Sequence, residues 1–246
     1  MFDSFTLAHR IFALTRRSSL MLIFAAAVLL FASNAQGQFG APSAGTHVND
    51  ASALHPPTGA RVAIVEFSDF ECPACAHANP TVMAAVATYK IPWVRHDFLI
   101  PGHIWSTQAA VNARWFDLNK SKAVGEEYRN QVFASQSAIY NLDVLRQFTQ
   151  KFAQSHGVSL PFAIDPQGKL LAEVKADSEL GRRTGIQHTP TVFIVIASGK
   201  GAPFREVQSV DQDLYQTIDQ ALADTAGAKT APKAVTKPAV KKPATK

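Results

Sequence analysis

The sequence predicts an α/β fold, and three observations carry that prediction. An apolar, β-branched run from Val62 to Phe67 leads through a short polar connection, Ser68 to Glu71, into Cys72-Pro73-Ala74-Cys75 at the start of a helix. A second strand-like run, Ile91 to Ile100, follows that helix, so the unit is β-α-β. After a long region of helical periodicity come two further strand-like runs and an amphipathic helix, a β-β-α ending.

The first segment precedes the fold. Arg10, Arg16 and Arg17 stand before an uncharged run, Leu20 to Ala32, that is shorter than the roughly 20 residues a spanning helix needs. Ser33-Asn34-Ala35 offers small residues for cleavage after Ala35. Residues 1–35 therefore read as a secretory signal peptide, with an uncleaved N-terminal membrane anchor as the alternative. Thr15-Arg16-Arg17-Ser18 hints at twin-arginine export. The expected location is periplasmic or otherwise extracytoplasmic, where oxidising conditions make a reversible dithiol useful. Residues 36–59 are rich in small and turn-forming residues and read as a linker ending in the turn His55-Pro56-Pro57-Thr58-Gly59.

The folded domain is expected over 60–223. Pro73 suits the first position of a helix that continues through Met83 and Ala84, and Pro80 inside it predicts a kink because it lacks an amide donor. A helical insertion is expected over about 101–184, with helices at about 104–118, 122–135, 142–155 and 169–183. In the third of these, Leu142, Leu145, Phe148 and Phe152 recur at helical spacing behind Asn141 as a cap. Thr191 to Ala197 reads as a strand, Ser198 to Ala202 as a Gly-rich turn, and Phe204 to Val207 as the returning hairpin strand. Asp211 to Ala223 closes the domain as a helix with Leu214, Ile218 and Leu222 on one face.

Residues 224–246 are Ala/Lys/Pro/Thr low complexity and are expected to be a disordered basic tail. That tail accounts for the chain's charge. The formal net charge is +5; the tail carries +5 and residues 1–35 carry +2, which leaves −2 for residues 36–223. The domain has no bulk basic footprint, so no nucleic-acid partner is implied. The tail's six lysines suit contact with an anionic surface such as lipid headgroups or wall polymer, or simple solvation without a partner.

Cys72 and Cys75 are the only cysteines in the chain. Their spacing puts both sulfurs within one helical turn on the same side, where they can bridge. Cys72, at or before the first turn, meets unpaired amides and the positive end of the helix dipole, which favour its thiolate, the reactive form. Cys75, one turn in, is more shielded and suits the resolving role. Cys-x-x-Cys also binds metal, and Cys72, Cys75 and His77 would be a conceivable copper or zinc set. At two residues past Cys75, however, His77 points around the helix, and no metal or cofactor is expected. A static disulfide of this spacing closes too small a loop to stabilise much. Glu66, on a buried strand, is costly unless it has a partner or a task. His96 and His103 read as strand-end or surface residues, and Trp93, Trp105 and Trp115 as packing residues.

With those residues in place, the chain resembles the thioredoxin superfamily, and the helical insertion makes it similar to the DsbA-like branch of exported thiol:disulfide oxidoreductases. Glu66-Phe67-Ser68-Asp69-Phe70-Glu71-Cys72-Pro73-Ala74-Cys75 is similar to that family's active-site signature. Glu66 matches the buried acid beneath the site, and Pro80 the proline of the active-site helix. Gly185-Ile186-Gln187-His188-Thr189-Pro190-Thr191 resembles the loop that holds the family's cis-proline. Phe98-Leu99-Ile100-Pro101-Gly102-His103 looks like the entry to the insert. The resemblance covers roughly residues 56–223. It implies a thioredoxin-like fold with Pro190 opposite the cysteines, and catalytic Cys72, Cys75 and Glu66. It also implies a substrate edge formed by Thr189, Pro190, Pro73, Ala74 and His188.

The implied chemistry is attack of a substrate thiolate on Cys72 of the oxidised pair, release of Cys75, and resolution by a second substrate thiol. Glu66 would exchange a proton with Cys75 through water. Partners would be substrate proteins with cysteine thiols or disulfides and a membrane redox partner, acting on a monomer. Three positions depart from the pattern. His188 stands where many relatives carry glycine and could tune Cys72 as imidazolium. Ala74 replaces the histidine of the strongly oxidising prototype, which implies a less depressed Cys72 pKa and a milder oxidant. Thr189 is closer to the disulfide isomerases, although residues 36–59 are too short for their dimerisation domain. A dithiol oxidase is the leading reading; an isomerase or reductase kept reduced by a membrane partner is the alternative. A non-catalytic metal-binding or chaperone module is the remote one.

Overall fold

The computed structural model describes residues 46–226. The expected signal peptide, the first part of the linker and nearly all of the basic tail lie outside the described residues. Four strands form one sheet in the order β2-β1-β3-β4: β1 (Val62–Ser68), β2 (Trp93–Asp97), β3 (Thr191–Ile196) and β4 (Phe204–Val207). β1 pairs parallel with β2 and antiparallel with β3, and β3 pairs antiparallel with β4. Every residue of β1 and β3 is buried, because both faces of the sheet's centre are covered.

Side-chain alternation along β1 and β3 sorts the two faces. Val62 and Ile64 join Val192, Ile194 and Ile196 in one cluster, together with Val82 and Ala85 of helix α1 (Pro73–Tyr89) and Leu214, Ile218 and Ala221 of the closing helix (Val210–Asp224). Ala63, Val65 and Phe67 share the opposite face with Phe193, Val195, Phe98 and Ile186. Glu66 has the parity of Val62 and Ile64, so it points toward the face that α1 covers.

Between β2 and β3 lie α2 (Ser106–Asn119), α3 (Lys122–Ala134), a 3-10 turn (Gln136–Ala138), α4 (Leu142–Ser155) and α5 (Lys169–Thr184). In chain order the closing helix is α6. Ser121 caps α3 by accepting from the Val124 amide at 3.2 Å, and Asn141 caps α4 by accepting from Val144 at 2.9 Å. The insert builds its own core from Phe116, Tyr128, Val132, Leu145 and Phe152, and Cys72 and Cys75 belong to that same cluster. The cysteines are thus packed against the insert.

Three boundaries differ from those the sequence suggests. The second strand is confined to Trp93–Asp97, not Ile91 to Ile100, because the later amides find other acceptors. Phe98 donates to the Ser68 carbonyl, Leu99 to the Ser178 hydroxyl and Ile100 to the Asp69 carboxylate. Residues 46–59 are not a free linker. Leu54 is buried, Val48 and Ala53 pack beside Ile186, Phe193 and Phe204, and the Asn49 amide donates to the Thr184 carbonyl at 3.0 Å. At the other end, Asp224 belongs to α6 and pairs with Arg205, so the folded chain extends past 223.

Where α5 crosses the sheet, close approach depends on Gly181. A Cβ there would stand 2.4 Å from a Phe98 ring carbon and 3.2 Å from one of Phe67. Gly181→Ala is expected to destabilise the domain by about 1–3 kcal/mol through overpacking, read as a lower urea midpoint with an unchanged m-value. An unchanged midpoint would contradict this packing.

Candidate active site

Cys72 is the N-cap of α1, with extended backbone dihedrals of φ −74 and ψ 116, and Pro73 follows in the first turn. This ends the β1 connection with the Cys72 side chain at the helix mouth. The carbonyl of Cys72 accepts from the amides of Cys75 (3.1 Å) and Ala76 (3.2 Å), closing the first turn. Cys72 is 7 % exposed and Cys75 is fully buried; the two are not bridged. Pro73 and Ala74 sit exposed between them.

The opposite wall is the loop before β3. The Thr189–Pro190 peptide bond is cis, and Cys72 Sγ donates to the Thr189 carbonyl oxygen at 3.3 Å. Several groups hold the Cys72 thiol down, at about 5. The largest contribution is the hydrogen bond from the Cys75 thiol, with further ones from the Thr189 side chain and the amides of Cys75 and Ala74; burial opposes them. The Thr189 hydroxyl is buried without a partner while Cys72 is a donor. On ionisation the sulfur becomes an acceptor, and that hydroxyl can turn to it. For Cys75 burial pushes the thiol up, and the Cys72 sulfur and the Glu66 charge push the same way. The two sulfurs are therefore strongly unlike.

Glu66 is 1 % exposed, and burial raises its pKa. Two neighbours on β2 oppose that shift. Arg95 is its register partner across the parallel pair, and Trp93 Nε1 donates to Glu66 Oε2 at 2.8 Å. Arg95 is itself buried, lies 3.4 Å over the Trp93 ring, and donates through Nη2 to Asn79 Oδ1 (2.7 Å) and Asn130 Oδ1 (2.8 Å). The carboxyl thus sits inside a buried polar group that joins β1, β2, α1 and α3.

The connection Ser68 to Glu71 is tied down at every turn. Asp69, whose side chain is fully buried, accepts from the amides of Glu71 (2.7 Å) and Ile100 (3.0 Å) and from His103 Nδ1 (2.7 Å). Glu71 accepts from the amides of Trp105 and Ser106 at the start of α2. Gln136, in the 3-10 turn of the insert, donates through Nε2 to the carbonyls of Phe70 (2.7 Å) and Cys72 (2.9 Å).

Of the residues singled out from sequence, Cys72, Cys75, Thr189 and Pro190 meet at one spot, while Glu66 is buried on β1 with its carboxyl bonded to Trp93, and its charge is felt at Cys75. His188 is exposed on the same loop, with its ring near Glu206 and Thr191. His77 faces Asp211 at 2.9 Å, in contact with α6. His96 and His103 are not idle surface groups: they pair with Asp177 and Asp69. Arg95 and Gln136 were not anticipated. An arginine amid the apolar residues of the expected second strand was a signal for the first; nothing local signals the second.

Two unlike sulfurs at a helix mouth, faced by a carbonyl from a cis-proline loop, define the thiol–disulfide oxidoreductase class. Sequence comparison agrees, since residues 57–200 match the family profile described as Thioredoxin. The chain belongs to the thioredoxin family. No curated protein matches the sequence. Among solved structures, oxidised BdbD from Bacillus subtilis superposes with a TM-score of 0.54 at 17 % identity, covering 75 % of this chain and 99 % of that one. Wolbachia pipientis alpha-DsbA1 gives 0.53 at 14 %, covering 70 % and 92 %. Proteus mirabilis ScsC in a transitional conformation gives 0.53 at 16 %, covering 90 % and 99 %. The shared feature is the DsbA-like fold.

The lowered Cys72 pKa makes a direct prediction for the dithiol form. Alkylation of Cys72 by iodoacetamide should rise with pH to a midpoint near 5 and level off above it. An ordinary thiol would still be gaining rate around pH ~8.5, and that behaviour would contradict the assignment.

Proposed function

We propose that this chain is an extracytoplasmic dithiol oxidase that passes a Cys72–Cys75 disulfide to cysteines of exported proteins. The observation that carries this reading is the unlike setting of the two sulfurs: Cys72 caps the helix against the Thr189 carbonyl, where its thiolate is favoured, and Cys75 is fully buried, where the thiol is. A substrate thiolate attacks Cys72 Sγ, the internal S–S bond breaks, and Cys75 leaves with the electron pair and takes a proton. Glu66, kept protonatable by burial on the face of β1 that α1 covers, is the proton's source through water. A second substrate thiolate then attacks the substrate sulfur of the mixed disulfide, and Cys72 leaves as its stabilised thiolate. The substrate is oxidised by two electrons and the site is left as the dithiol.

Return to the disulfide needs an external oxidant, a disulfide or quinone-linked membrane partner. In that direction Glu66 accepts the Cys75 proton. The edge of the Thr189–Pro190 loop serves the substrate: an extended peptide passing Cys72 can pair with its backbone, while exposed Pro73 and Ala74 form the near rim. No helix among the described residues is long and apolar enough to cross a membrane. Export through residues 1–35, as signal or anchor, and action as a monomer complete the reading. Ala74 brings no charge to Cys72, which supports a milder oxidant than relatives with histidine there. Thr189 keeps a second reading alive, an isomerase or reductase held in the dithiol state. The in-cell redox state of Cys72 and Cys75 separates the two.

Cys72→Ser should abolish both oxidation of a reduced two-cysteine peptide and dithiothreitol-dependent insulin reduction. Glu66→Gln should retain the Cys72 thiolate but slow the proton-coupled release of Cys75 by about 10²-fold, seen in single-turnover kinetics. Appreciable turnover in Cys72→Ser would remove the nucleophile assignment, and an unchanged rate in Glu66→Gln would remove the proton role.

A further inference from the structure

Glu206 takes no part in the exchange chemistry, yet its side chain is nine-tenths buried on the edge strand β4. A carboxylate in that setting needs donors to replace lost water. Thr46 supplies two: its amide donates to Oε2, and its hydroxyl donates to Oε1 at 3.0 Å. The same Oε1 lies 3.6 Å from His188 Nε2, too long for a direct hydrogen bond but well within reach of charge. One side chain therefore joins three segments remote in sequence: the N-terminal strap, which includes Thr46, the edge strand, and the loop that ends in Pro190.

The loop end is the one that touches chemistry. His188 directly precedes Thr189, whose carbonyl accepts from Cys72 Sγ at 3.3 Å. On its inner side the Thr191 hydroxyl donates to the His188 carbonyl at 2.6 Å and lies 3.3 Å from the ring's Nδ1. With Glu206 at Nε2, the imidazole is flanked at both nitrogens. The strap is seated independently a few residues on. Asn49 donates to the Thr184 carbonyl, Asp50 faces Arg183 at 3.5 Å, and Gly185, at φ +98, leaves room for the His47 carbonyl, which a Cβ would meet at 2.4 Å. Strap and loop therefore share a border from Thr184 to His188.

We propose that Glu206 is a positioning residue for substrate docking: through His188 and Thr46 it holds the cis-proline loop and the N-terminal strap as one unit. The substrate class is an extended cysteinyl peptide, and the property set is the alignment of the Thr189 backbone against it. This rests on the exchange chemistry proposed above. Glu206 acts on the docking edge and not on the sulfur, so its loss should appear in KM.

The test is steady-state oxidation of a reduced two-cysteine peptide by the full chain, comparing wild type, Glu206→Gln, His188→Gln and the double variant, with Cys72 thiolate titration alongside. Glu206→Gln should raise KM about fivefold while kcat and the Cys72 midpoint stay put, and the double variant should be no worse than either single one, as for two residues acting through one contact. Thr46→Val, which removes the hydroxyl bond to Glu206 Oε1 and leaves every residue of the loop and of β4 unaltered, should reproduce part of the KM rise. An unchanged KM in Glu206→Gln would overturn the proposal, as would additive losses in the double variant or an effect confined to melting temperature. Wild-type turnover that survives Cys72→Ser would sink the exchange chemistry itself, and this proposal with it.

Discussion

A sulfur on a residue only 7 % exposed can carry negative charge only if protein donors replace the water it has lost, and the rest of the site follows from meeting that condition at Cys72. The donors are a thiol one turn along the helix, two amides of the first turn, and a hydroxyl from the cis-proline loop. Each belongs to a segment that must be held in place, to within about 0.5 Å for a functional constellation. The helix mouth supplies the amides because Cys72 sits at the cap, where they have no intrahelical partner. The neighbouring sulfur is disfavoured as an anion by the same burial, so charge on the pair is confined to one atom.

The helical insert matters to this chemistry because it contributes to the wall around it. The cysteines share a cluster with Phe116, Tyr128 and Phe152, and Gln136 reaches from the insert to the carbonyls of Phe70 and Cys72. Asp69 and Glu71 reach the other way, to the segment that enters α2. Sheet domain and insert are thus stitched together at the redox loop. The pairing of Glu66 with Arg95 and Trp93 explains how a carboxyl is tolerated on a fully buried strand: it shares a polar group with another buried charge.

Much of this was legible in sequence because it is local. The cap position of Cys72 follows from Pro73 and the preceding strand. The helices of the insert follow from apolar spacing, and Asn141 caps where its side chain predicts. What escaped depends on contacts between remote residues. Gln136 is an unremarkable polar residue until the fold brings it to the Cys72 carbonyl. Residues 46–59 read as linker because small and turn-forming residues hide the two that matter, Val48 and Leu54, which fill the gap beside Phe193 and Phe204. The second strand looked longer than it is because Phe98, Leu99 and Ile100 are as apolar as strand residues, yet their amides serve side chains and the Ser68 carbonyl. Glu206 carries no motif at all.

The proposed oxidant role requires that the fold favour the Cys72 thiolate of the dithiol form over the closed disulfide. Comparing the melting temperatures of the two redox forms across pH tests it most directly. A folded-state pKa of about 5, below that of the unfolded chain, stabilises the dithiol form fully above the unfolded value, and the gain is lost as pH falls toward 5. The dithiol form should therefore melt above the disulfide form at neutral pH, with a gap that narrows on acidification. A disulfide form that melts higher at neutral pH, or a gap that does not change between pH 8 and 5, would contradict it.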